Sequence, residues 1–110
     1  MLDRTWKAYR MIKVRYNDTD SIMLRISGHA DYAEAGKDIV CAGVSAITYA
    51  LLGYLEKIDK TVVSDIKDEE GYICIVSNSI DKRVESAFDM ALLGLRQIEL
   101  AYPNHVSVKK

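Results

Sequence analysis

Residues 28 to 41 read GHADYAEAGKDIVC, which sets His29 and Cys41 on either side of a short loop. A thiol and an imidazole are the two groups from which a sulfur nucleophile is assembled. The ring takes the thiol proton, then returns a proton to a leaving amine. Asp38 stands where a helix is due to start, so Cys41 falls in the first turn, where unpaired N–H groups and the positive end of the helix dipole favour a thiolate. A free cysteine ionises near about 8.5, and a helix start with a neighbouring imidazolium lowers that value. Gly28 gives the backbone beside His29 latitude to turn the ring towards the helix. The competing reading makes Cys41 a small apolar filler beside Val40, since free cysteines are among the most buried residue types. No CxxC, no HExxH and no second close histidine is present, so neither a metal site nor a cofactor is expected. Cys74, within the alternating run YICIVS, reads as a buried strand residue, and His105 beside Pro103 as solvated.

The elements that must position this pair follow from periodicity. MIKVRY (11–16) and IMLRI (22–26) alternate across NDTDS and predict a β-hairpin. The stretch from Gly28 to Lys37 has no sustained period and reads as a surface loop whose two glycines let it move. From Asp38, a credible N-cap, Val40, Val44, Ile47, Leu51, Leu55 and Ile58 recur at helical steps to about Lys60. TVVSDIK (61–67) and YICIVS (72–77) flank DEEG as a second hairpin. Val84, Ala87, Ala91, Leu95 and Ile98 then mark a second helix, stopped before Pro103. The order is ββαββα. It predicts an α+β two-layer sandwich, a mainly antiparallel sheet with both helices on one face.

A chain of 110 residues with 49% hydrophobic and 28% charged side chains suits a single domain, 1–110, with one core. Fifteen basic and sixteen acidic side chains give a formal net charge of -1. That removes the broad attraction behind non-specific nucleic-acid binding, and no direct nucleic-acid contact is expected, although a local basic patch remains possible. Two cysteines without a secreted-scaffold spacing suggest reduced thiols in a cytosol. The start, MLDRTWKAYRMIKVRYN, has no signal-peptide pattern, and the apolar stretches read as too interrupted for a membrane span.

The string GHADYAEAGKDIVCAGVSAITYALLGYLE resembles the signature of the ribosomal-processing cysteine protease family, Prp: Gly-His, a short loop with Tyr and Gly, Asp-x-Val-Cys, then Val-Ser. Gly28, His29, Tyr32, Gly36, Asp38, Val40, Cys41, Val44 and Ser45 match, while Gly43 stands where relatives commonly carry alanine. The resemblance implies a bacterial cytoplasmic homodimer, an endopeptidase that removes the N-terminal extension of a large-subunit ribosomal protein. The implied peptide substrate has aromatic residues before the cut. Carried over by position, Cys41 is the nucleophile and His29 the general base. Asp38 then caps the helix, orients His29, or does both. Ser45 either supports the site by a hydrogen bond or bonds back to the carbonyl of Cys41. Helix-start N–H groups are candidate oxyanion donors, and the loop with Gly28, His29 and Gly36 is a candidate cover over substrate. Two other classes remain: a noncatalytic ribosome-associated binding protein and a redox-sensing thiol protein.

Overall fold

The computed structural model describes residues 11–29 and 38–110. The predicted mobile loop, with Tyr32 and Gly36, lies outside the described residues. Strands β1 (Ile12–Asn17) and β2 (Ile22–Ser27) form the first hairpin. Helix α1 (Ile39–Ile58) follows, then β3 (Asp65–Glu69) and β4 (Tyr72–Ser77), helix α2 (Lys82–Ala101) and β5 (Val106–Lys109). The sheet order is β3-β4-β2-β1-β5. The architecture is the α+β sandwich the sequence predicts, with one strand more. β5 pairs parallel with β1, Ile12 facing Val106 and Val14 facing Val108, so the sheet is mixed. Helix α2 carries the chain from β4 to the far edge, where β5 can pair only by crossing over.

One face of the sheet is buried. Val14, Leu24, Ile75 and Val106 are sealed from solvent with Val40 and Leu55 of α1 and Val84, Phe88 and Leu95 of α2. Burying side chains of this kind contributes about 1.5–3 kcal/mol each before the entropy of ordering them is subtracted. Alternation along β4 sends Ile73, Ile75 and Ser77 inward and Tyr72, Cys74 and Val76 outward. Cys74 is therefore half-buried on the outer face, not a core residue as its apolar neighbours suggested. Ser77 occupies the inward position, satisfied by donating its hydroxyl to the carbonyl of Val62.

Two other readings change. TVV does not begin a strand: Lys60–Val62 form a 3-10 turn capped by Asp59, whose side chain accepts from the N–H and hydroxyl of Thr61. That bond competes with extended pairing, so the strand starts only at Asp65. Helix α1 is also more apolar than the sequence reading allowed, reaching a mean hydropathy of 1.6, enough by length and composition to cross a membrane. Its stripe of Val40, Val44, Thr48, Leu51 and Leu55 packs into the sheet's core.

Candidate active site

At the end of the sheet where α1 begins, a cavity of about 190 Å³ is lined by Gly28, His29, Cys41 and Ser45, among others. The chain brings these four predicted site residues together from the end of β2 and the start of α1. Cys41, Ser45 and Tyr49 line the opening because residues four apart share one face of a helix. Cys41 is half-buried and His29 exposed. Neither cysteine is in a disulfide.

Asp38 is the N-cap. Its Oδ1 accepts the N–H of Val40 at 3.0 Å and of Cys41 at 2.9 Å, and its carbonyl accepts the N–H of Ala42 at 3.0 Å. The helix therefore starts with its first N–H groups engaged. The capping role of Asp38 is observed directly.

The other wall is the turn between β3 and β4. Gly71, at φ +71°, occupies the left-handed region, and its carbonyl accepts the N–H of Gly28 at 2.9 Å. The imidazole of His29 rests against it: a Cβ added at Gly71 would stand 2.7 Å from Nε2. Only glycine lets the ring sit there. Gly28 is constrained for its own reason, since its φ is +94° and a Cβ would run into the carbonyl oxygen of Met11. The turn is tied to the cysteine's helix by Tyr49, whose hydroxyl donates to both oxygens of Asp68 at 3.0 Å. That bond holds the Tyr49 proton and raises its pKa. Beneath the opening, Thr48 returns its hydroxyl to the carbonyl of Val44 at 2.7 Å, so this buried polar group is satisfied.

Sequence reasoning missed Gly71, Tyr49 and Asp68 as parts of this wall. The helical step from Cys41 through Ser45 to Tyr49 was a signal for one of them. Contact between His29 and Gly71 is tertiary and had no local signal.

A larger depression of about 590 Å³ lies between α1 and α2, lined by Ile47, Tyr54, Met90 and Gly94. Its lining holds neither cysteine nor histidine, so size and chemistry point to different places, and the chemistry decides. Among the described residues, no three His, Cys, Asp or Glu gather in a metal-binding group.

The family model for cysteine protease Prp matches residues 11–107. A Mycoplasma genitalium protein named ribosomal processing cysteine protease Prp is 33% identical over 102 residues, 91% of this chain and 96% of that protein. A Bacillus subtilis protein of the same name is 27% identical, across 86% of this chain and 89% of its own length. The crystal structure of the S. aureus ribosomal processing protease Prp, in complex with a covalently linked product peptide, superposes with a TM-score of 0.77. That match covers 90% of this chain and 96% of the other at 24% identity, a likeness of fold.

Proposed function

The chain belongs to the cysteine protease Prp family, and within that cysteine protease activity we propose that Cys41 is the nucleophile and His29 its general base. The observation that carries the assignment is the shared cavity: Cys41 and His29 open onto one space, from two different elements. In the reaction His29 takes the proton of Cys41, the sulfur attacks a peptide carbonyl, and the leaving amine receives the proton from His29. Water then clears the thioester with His29 as base. Asp38 already engages the N–H groups of Val40 and Cys41, so the oxyanion draws its donors from outside that pair.

The substrate in this proposal is a ribosomal protein precursor, as the names of the relatives suggest for those proteins. More finely, the enzyme removes the N-terminal extension of a large-subunit ribosomal protein, cutting after aromatic residues, in the cytoplasm. It works as a homodimer. The apolar depression between α1 and α2, with Met90 73% and Leu93 62% exposed on the same helix surface, supports a second copy there. Sedimentation at rising concentration tests this, and a monomer at high concentration rejects it.

The catalytic assignment is tested with a peptide spanning the extension junction. Cys41→Ala should abolish cleavage while the peptide still binds. Cleavage by that variant at the unmodified rate would overturn it. If unprocessed precursor binds and acts normally with both Cys41→Ala and His29→Ala, the chain is a noncatalytic binding protein instead.

A further inference from the structure

The sheet face turned away from the helices carries its positive charges in a line. Residues directly opposite one another share a face, and the registers Lys67↔Cys74, Arg25↔Cys74, Arg15↔Arg25 and Arg15↔Lys109 form one row across all five strands. With strands about 4.8 Å apart, the row is roughly 19 Å long. Lys13 stands in the adjacent row, paired in register with Ser27 and Ser107. Lys13, Arg15, Arg25, Lys67 and Lys109 are all exposed. Among the described residues, the acidic side chains of this face, Asp65 and Glu69, both lie on the edge strand β3, where Glu69 pairs with Lys67 at 3.6 Å. Among the described residues, none of Lys13, Arg15, Arg25 and Lys109 is paired with a carboxylate.

Like charges placed directly opposite one another weaken a sheet. Arg15, between Arg25 and Lys109, is an arrangement that a neutral side chain would relieve. Folding gives no reason for the row. A polyanion does.

We propose that this open sheet face binds RNA through its phosphate backbone. A nucleic-acid strand carries a charge about every 3.4 Å, so a straight row of cations can neutralise several phosphates of one strand at once. Hydroxyls of Ser27 and Ser107 and the ring of Tyr72 lie in the adjoining row, the kinds of group that meet ribose and bases on other open sheets. An anionic bilayer fits less well. Surface-bound membrane elements set apolar anchors beside their cations, and among the described residues the exposed large apolar side chains, Tyr54, Met90, Leu93 and Leu100 among them, are on other surfaces. The net charge of -1 hides the stripe because it averages over faces. The proposal does not depend on the assignment of Cys41 and His29.

The test is fluorescence anisotropy of the full chain with a labelled 20-nucleotide oligouridylate, beside phosphatidylserine vesicles and polyglutamate. At 50 mM salt the RNA should bind with a Kd of about 1–100 µM, weakening about fiftyfold by 200 mM as four phosphate contacts release their counterions. Arg15→Gln/Arg25→Gln should weaken binding at least about tenfold and flatten the salt slope by about 1.4. Peptide cleavage should be unaltered and the melting temperature equal or higher. Lys13→Gln/Lys109→Gln, on β1 and β5, should act in the same direction and covers the case in which the arginine variant does not fold. RNA binding that is equal in unmodified and variant chains overturns the proposal. So does failure to bind RNA at 50 mM salt, whether or not vesicles or polyglutamate bind.

Discussion

The two long helices begin with the same device and do different things. Each has an aspartate N-cap, Asp38 for α1 and Asp81 for α2, accepting N–H groups of the first turn. At α2 the carboxylate is also held by the guanidinium of Arg83 at 2.6 Å, and that bond keeps the Asp81 carboxyl below the usual carboxylate range. At α1 the capped turn presents a cysteine to a cavity, with an imidazole seated across it on Gly71. A capped helix start is therefore not a site by itself. The difference is made by a turn from a distant hairpin, built around a glycine with room for a ring.

Removing the imidazole should break the contrast most severely. His29→Ala is expected to lower kcat by about 10²–10⁴-fold, the usual worth of a positioned base, read in the peptide cleavage assay. Next come Gly71→Ala and Gly71→Asn, either of which should lower kcat by about tenfold to a hundredfold through displacement of the ring. Asparagine tolerates positive φ better than alanine. Full activity in the asparagine variant alone would trace the loss to backbone strain rather than to the ring.

Replacing the caps sharpens the comparison. Asp38→Ala should cost about 1 kcal/mol of stability, Asp81→Ala should also lower the denaturant midpoint, and only the first should slow cleavage. The depressed pKa of Asp81 means its contribution is present above the unfolded carboxylate value of about 3.9 and is lost as pH falls through the folded value. Asp81→Asn should therefore flatten the fall of melting temperature on acidification. Smallest of all, Gly43→Ala should gain up to about 1 kcal/mol of helix propensity, because its new Cβ would meet only the flexible end of Ile98, at 3.3 Å.

Much of this was legible in the chain because it is local. Alternation gave β1, β2 and β4, and the helical stripes gave α1 and α2, with Asp38 as cap. The clustering of His29, Cys41, Ser45 and Gly28 also followed from spacing and resemblance. β5 was not legible: only Val106 and Val108 point inward, too few to mark a period, and its partner β1 lies at the other end of the sequence. Cys74 looked like core because its neighbours are apolar, yet register sends it outward with Arg25 and Lys67. The cationic row and the seat of His29 on Gly71 belong to the same class. They exist only once strands distant in sequence have been aligned.

The most direct test of the nucleophile is stoichiometric alkylation. Limited amounts of iodoacetamide are added to the enzyme, and residual cleavage is compared with peptide-mapped labelling of Cys41 and Cys74. Activity should fall one-for-one with labelling of Cys41 and be indifferent to Cys74, including in Cys74→Ser. Full cleavage activity from a chain completely alkylated at Cys41 would contradict the account.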